Sequence, residues 1–255
     1  MFERSYEQHG DEGVVTIGDS RARVPHNKFW HKFATGWEPD TERIYREYVT
    51  RGGTVLDIGA WIGSTILFAL AAGAGRVVAV EPNPDSFGAL DEMLAKNPWM
   101  RDRVVLVNGA ISDQREVLSM GLVEGEDDTS TSGISGSDFQ VQADTLLQTC
   151  SDHDISDMDL IKIDIEGAEL LLVDTIRAIS TWPGQVVHLS IHVPFFPEGG
   201  DVKGFIDAVC AFDIQDDRGT DLSAEEFRER IRSKDSRPDW GTKHGNFFEV
   251  LLQAR

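Results

Sequence analysis

The residues best placed to do chemistry begin with a run of small side chains between an apolar strand and a helix. Val55-Leu56-Asp57-Ile58-Gly59-Ala60-Trp61-Ile62-Gly63-Ser64-Thr65 reads as a strand, a turn and a helix start, which aims backbone N–H groups and the helix N-terminus at a ligand. Gly59 permits a sharp turn, and Gly63 lets the helix sit close to the strand. In a dinucleotide fingerprint the second glycine lets the backbone approach a pyrophosphate, but here Trp61 holds that place and its indole would obstruct one. S-adenosylmethionine (SAM) has no pyrophosphate. Its amine and carboxylate could be shared by an acidic residue, Asp57 at the strand end, and by the free N–H groups of the turn. Glu81, at the end of the next strand, is where an acidic residue receives a ribose diol. Each carboxylate also has a plainer reading: Asp57 as a turn cap and Glu81 as a solvated strand end.

Asp164, Glu166 and His192 form a second group, at the carboxyl ends of later predicted strands where an α/β cleft is expected. An alcohol acceptor must lose its proton, and each of the three could take it. His192, in Ser190-Ile191-His192-Val193-Pro194, is the first choice because its ordinary pKa suits neutral pH. Glu166 could instead serve as a negative charge near the helix start at Gly167, and His192 could be structural. His188 is expected to point elsewhere and His244 is a minor candidate. The three could bind a divalent metal, but no tight ligand spacing demands one and none is expected.

The sequence resembles the FkbM family of SAM-dependent methyltransferases over roughly residues 37–195. The resemblance rests on the stretch from Leu56 to Gly63, on Val80-Glu81-Pro82-Asn83, on Asn108-Gly109-Ala110-Ile111-Ser112, and most specifically on Leu160-Ile161-Lys162-Ile163-Asp164-Ile165-Glu166-Gly167-Ala168-Glu169. Trp61 departs from the smaller or polar residue expected at its position. The resemblance implies a Rossmann-like class I fold, a mostly parallel seven-stranded sheet with helices on both faces, binding SAM and releasing S-adenosylhomocysteine (SAH). Asp57, Gly59, Ala60, Trp61, Gly63, Ser64, Thr65, Glu81, Pro82 and Asn83 would line the cofactor. Asn108, Gly109 and Ala110 would run along the adenine, and Asp164 would lie near the methyl group or the methionine amine. Gly36-Trp37-Glu38-Pro39 looks like the family's entry to its first helix, with Trp37 and Glu38 closing over SAM. The acceptor would be a hydroxyl on a sugar, glycan or natural product.

The elements that must position these residues follow from pattern. Residues 1–30 are polar and irregular, with short strands at 14–17 and 22–24. A helix is expected over 38–50, then strands at 54–58, 76–80, 104–107, 159–164, 185–192 and 247–252. Helices are expected over 64–72, 83–96, 167–179 and 202–211. Asn83 before Pro84 is an N-cap, and Asp144 is read as another. Residues 112–142 break the rhythm as a hairpin and loop. Ser223 and Glu226 form a capping box. The prediction is one domain over 1–255, with 1–50 as an N-terminal cap segment and 216–244 as a lid insertion. Trp37 and Trp240 would face ligand, while Phe33 and Phe227 fill core.

Composition narrows the partners. A formal net charge of −20 repels phosphate backbones and anionic lipid, so neither nucleic acid nor membrane is expected. Two cysteines suggest no disulfide framework, and no apolar leader is evident, which together point to a cytoplasmic protein. N-methylation, a binding protein with a degenerate SAM fold and, more distantly, a nicotinamide dehydrogenase are the competing readings. The oligomeric state is left open.

Overall fold

The computed structural model describes residues 1–122, 132–133, 138–232 and 247–255. These fall into two compact units, one of residues 1–108 with 157–160 and the other of residues 109–156 with 161–255.

The first unit opens with an antiparallel meander of β1 (Arg4–His9), β2 (Glu12–Ile17) and β3 (Ser20–Pro25). Val15, Ile17, Ala22 and Val24 are buried, giving β2 and β3 the alternation of strands with one covered face. No such alternation marks Arg4-Ser5-Tyr6-Glu7-Gln8-His9, which is why β1 is not legible as a strand; pairing with β2, Tyr6 opposite Val15, makes it one. The Asn97 side chain fastens this meander, accepting from Arg23 N at 2.8 Å and donating to Arg23 O at 2.6 Å.

Helices α1 (Phe29–Ala34) and α2 (Pro39–Tyr48) lead into β4 (Thr54–Ile58), α3 (Ser64–Ala72), β5 (Arg76–Glu81), α4 (Pro84–Lys96), α5 (Pro98–Arg101) and β6 (Val104–Asn108). The order β4-β5-β6 is parallel throughout, with Ile58 opposite Val80 and Glu81 opposite Asn108. Strands of a parallel sheet are covered on both faces, and β4 and β5 are accordingly almost wholly buried. The register sets Glu81 beside Asn108 at the strand ends, with Asp57 beside Ala79 one step further in.

In the second unit β7 (Ala110–Ile111), β8 (Glu116–Leu122), β9 (Ser132–Gly133) and β10 (Phe139–Asp144) form a small sheet, its core the expected hairpin of β8 against β10. Helix α6 (Leu146–Asp152) is capped by Thr145, whose Oγ1 accepts from Gln148 N at 3.2 Å. The predicted N-cap, Asp144, instead ends β10 and faces Arg115 at 3.3 Å. β11 (Leu160–Ile163) runs parallel to β12 (Val186–His192), and β15 (Phe247–Gln253) lies antiparallel between β12 and β13 (Asp213–Asp216), which pairs with β14 (Asp221–Leu222). The strands described in these two series number three in the first unit, β4 to β6, and five in the second, eight where seven were expected, the two-residue β14 being the addition.

The helix expected over 167–179 is a 3-10 turn, Ala168–Leu172, followed by α7 (Val173–Ile179). The break falls at Leu172, which leaves helical geometry at φ −115° and ψ 22°. Asp113 then caps the new start, accepting from Asp174 N and Thr175 N at 2.7 Å each. After a short 3-10 turn at Val193–Phe195 come α8 (Val202–Val209) and α9 (Ala224–Arg232). The Ser223–Glu226 capping box forms as expected, and Phe227 and Ile231 are buried, with Phe227 edge-on to Phe248. Trp240, His244 and the rest of the expected lid from 233 onward lie outside the described residues. No described helix is long and apolar enough to cross a membrane.

Candidate functional site

The glycine turn of the first unit is held by its neighbours rather than by its own side chains. Gly59 and Ala60 both donate backbone N–H to Val80 O, at 2.9 and 3.1 Å, so the end of β4 is stapled to the end of β5. Trp61 then takes a left-handed conformation, φ 48°, rare for a bulky residue. Its N–H donates to Glu81 Oε2 at 2.7 Å, and the other Glu81 oxygen accepts from Asn83 N at 2.8 Å. Glu81 is therefore no solvated strand end: it is 5% exposed and ties two loops together. Asn83 continues the chain of bonds as N-cap of α4, its Oδ1 accepting from Asp85 N and Ser86 N.

Asp57 is fully buried, and its Oδ2 accepts from Thr65 Oγ1 at 2.6 Å, locking the end of β4 to the first turn of α3. Gly63 precedes that helix at φ 94°, and a Cβ there would fall 2.5 Å from Met93 Cε and 3.0 Å from Leu90 Cδ2. The close approach it permits is thus to side chains of α4, not to the strand as spacing suggested. Ser64 and Thr65 are buried in the opening turn of α3, and Ala60 and Asn83 are buried beside them, whereas Pro82 is half-buried. Asn108 is exposed, Gly109 buried and Ala110 intermediate.

Trp61 turns its indole onto Phe29, ring centroids 4.5 Å apart and edge to face. Phe29 also meets Trp37 at 4.9 Å, and Trp37 stacks on Phe68 of α3. Trp37 is half-buried, and Phe33 beside it is fully buried. The cluster is clamped by Arg4, which donates to Phe33 O at 3.0 Å and Trp37 O at 2.8 Å and pairs with the fully buried Glu42 at 2.8 Å. Phe2 N also donates to Glu42. Glu38, left-handed at φ 44°, begins α2 and accepts from Thr41 Oγ1 at 3.1 Å.

In the second unit the other predicted residues do converge. Asp164 follows β11, Glu166 sits at φ 53° and Gly167 at φ 97°, and His192 ends β12. A Cβ on Gly167 would lie 2.4 Å from both Cβ and O of Phe195, so only glycine lets the two loops meet. His192 Nε2 lies 3.5 Å from Asp164 Oδ1 and 3.5 Å from Glu166 Oε2. Its Nδ1 is 2.7 Å from Glu169 Oε1, a fully buried carboxylate. Lys162, buried in β11, reaches the other oxygen of Asp164 at 3.5 Å. Phe247 closes one side, edge-on to His192.

These charges set one another's ionisation. Burial alone would lower His192, but Glu166, Glu169 and Asp164 outweigh it and raise the imidazole to about 10. Burial raises Glu166 to about 7, helped by Asp164 and Glu169 and opposed by His192. Asp164 resists burial and stays below its ordinary value because Lys162, His192 and His188 favour its charge. A histidinium at neutral pH has no lone pair for an incoming proton. That weakens the reason for choosing His192 as base.

Glu169 and Lys162 were missed as site residues. Both left a signal: a lysine amid Leu160-Ile161-Ile163 and a glutamate beside Leu170-Leu171-Leu172 are charges in apolar runs, rarely buried unless paired. His188 bonds Glu249 at 3.3 Å, although alternation along β12 gives it the same parity as His192.

Residues 57–218 match the family described as the methyltransferase FkbM domain. No curated protein matches the sequence. Among solved structures, that of SMU.776, described as a methyltransferase and complexed with SAH, is similar at a TM-score of 0.51 and 10% identity, over 97% of this chain and 57% of that one. An FkbM methyltransferase from Methylobacillus flagellatus KT gives 0.45 at 15% identity, over 83% and 50%. The O-methyltransferase from Bacillus cereus, in complex with SAH, gives 0.44 at 11%, over 86% and 80%. The chain therefore spans about half the length of the first two. The likeness to SMU.776 shows the Rossmann-like methyltransferase fold, and the family match covers well over half of the sequence. The chain belongs to the FkbM methyltransferase family.

Proposed function

We propose that the protein transfers a methyl group from SAM to a hydroxyl on a sugar, glycan or natural-product small molecule. The observation that carries the cofactor reading is the Glu81 carboxylate, buried at the end of β5 and bonded to the amides of Trp61 and Asn83. Each carboxylate oxygen can accept more than one hydrogen bond, so a group that holds the turn is also suited to receive a ribose diol. The turn it holds has Trp61 where a pyrophosphate would need a glycine, which disfavours dinucleotides. The SAH bound to SMU.776 accords with that choice. Asp57, Gly59, Ala60, Trp61, Gly63, Ser64, Thr65, Pro82, Asn83 and Asn108–Ala110 line the cofactor in this reading, with Trp37 and Glu38 covering it.

When bound, SAM supplies a methyl carbon already activated by sulfonium, so the protein's task is alignment and exclusion of water. The acceptor oxygen forms a bond to that carbon as the carbon–sulfur bond breaks, SAH leaves, and the hydroxyl proton needs a base. We assign that proton to the cluster of Asp164, Glu166 and His192, in which a carboxylate can accept it. Incubation with methyl-labelled SAM and pooled sugars and polyketides tests the reading. Label in an ether-linked methyl, much reduced in Glu166→Gln, supports it; label on nitrogen alone would favour N-methylation, which needs no such base.

A further inference from the structure

We infer that Asp164, Glu166 and His192 form a binding site for one divalent cation, with Glu169 as the carboxylate that orients the imidazole. One ligand atom from each of the three lies within 4.8 Å of the others. His192 Nε2 stands 3.5 Å from one oxygen of each carboxylate, beyond the range of a good hydrogen bond. It faces a gap between the two rather than bonding either.

The other ring nitrogen decides what belongs in that gap. Glu169 Oε1, 2.7 Å from Nδ1, already accepts from Gly167 N at 3.2 Å. An ionised carboxylate only accepts, so Nδ1 carries a proton. Nε2 is then the atom turned toward Asp164 and Glu166, and three lone-pair-bearing atoms pointing at one another require a positive charge among them: a proton or a metal ion. Carboxylate, histidine and metal in line is the arrangement by which proteins fix a ligating imidazole.

A second observation favours the metal. Glu169 is fully buried, and its Oε2 has no hydrogen-bond partner among the described residues. Burying a carboxylate so incompletely satisfied is expensive, and a backbone carbonyl would hold a merely structural histidine as well. Charge agrees: among the described residues, with a neutral imidazole, three carboxylates and the Lys162 ammonium meet here, leaving net negative charge for a divalent ion to neutralise. Two carboxylates and one imidazole suit a first-row cation such as Mn2+. Its remaining positions would take water or the acceptor's hydroxyl, whose proton a bound cation makes easier to lose; that role, unlike the binding, rests on the methyl-transfer reading.

Mn2+ titrated into the chelator-stripped full chain, followed by electron paramagnetic resonance, tests the site. The expected result is loss of the free-ion signal up to one equivalent, with nitrogen hyperfine coupling from one imidazole. His192→Ala should abolish the coupling, and Glu169→Gln should weaken binding by about 10- to 100-fold. Asp164→Asn serves if His192→Ala does not fold. No binding at millimolar Mn2+, or binding unchanged in His192→Ala and Asp164→Asn, overturns the inference. Calorimetry with SAM on the same samples separates the two claims. SAM binding by protein that takes no Mn2+ overturns the cation site alone, whereas Mn2+ binding without SAM binding upholds it and removes the cofactor reading.

Discussion

Glu81 Oε2 accepts the backbone N–H of Trp61 at 2.7 Å, across the loops that follow two neighbouring parallel strands. The bond holds a bulky residue in the left-handed conformation, φ 48°, a geometry that costs free energy unless its surroundings enforce it. Glu81→Ala should therefore disturb the turn as well as remove an acceptor. SAM affinity is expected to fall by about 1.5–3 kcal/mol, roughly ten- to a hundredfold. Calorimetry on folded variant would check this; unchanged affinity would free Glu81 from any part in the site.

Arg4 and Glu42 form an ion pair almost without solvent, their side chains 3% and 0% exposed. Removing one partner strands the other charge. Arg4→Met should lower unfolding stability by about 3–5 kcal/mol, and Arg4→Met with Glu42→Leu by much less. Urea denaturation of the three proteins would test it. A loss below about 1 kcal/mol in the single variant, the range of surface pairs, would contradict a buried pair.

Metal-stripped protein should keep His192 charged well above its ordinary range. Its folded pKa of about 10 lies above the unfolded value, so its contribution to stability is full below about pH 6.5 and is lost as pH rises toward 10. Glu166, raised to about 7, acts in the same direction between its unfolded value and 7, because the folded state again binds the extra proton. Nitrogen-15 spectra should show an imidazolium at pH 8. Titration of His192 near 6.5 would contradict the electrostatic picture.

Gly63→Ala should be costly chiefly because its backbone is left-handed, φ 94°, whereas the contact 2.5 Å from Met93 Cε falls on the end of a flexible side chain that can shift. A loss of about 1–3 kcal/mol is expected, with weakened SAM binding because α3 starts there. A variant as stable as wild type would contradict backbone strain at this position.

How much of this was legible depended on whether local pattern or distant contact fixed each element. The parallel strands β4 and β5 bury both faces and read directly as apolar runs between glycines. The Asn83 cap and the Ser223–Glu226 box declared themselves by residue type. β1 did not, because an exposed strand of Arg, Glu, Gln and His becomes a strand only through pairing with β2. The 3-10 turn after Gly167 was hidden because Leu170, Leu171 and Leu172 suit any helix, and the crowding by Phe195 that shapes their start comes from far along the chain. Asp164, Glu166 and His192 were readable as strand-end residues. Glu169 showed only as a charge beside an apolar run, and its hold on the imidazole was hidden because its partner is 23 residues away in sequence.

In the proposed function the turn from Gly59 to Gly63, with Glu81, receives SAM. Calorimetric titration of the full chain with SAM, SAH and, in parallel, NAD tests it most directly. Saturable one-to-one binding of SAM and SAH is expected, weakened in Glu81→Ala, with no heat from NAD. Folded protein that binds NAD through this turn, or that takes up neither SAM nor SAH at millimolar concentration, would contradict it.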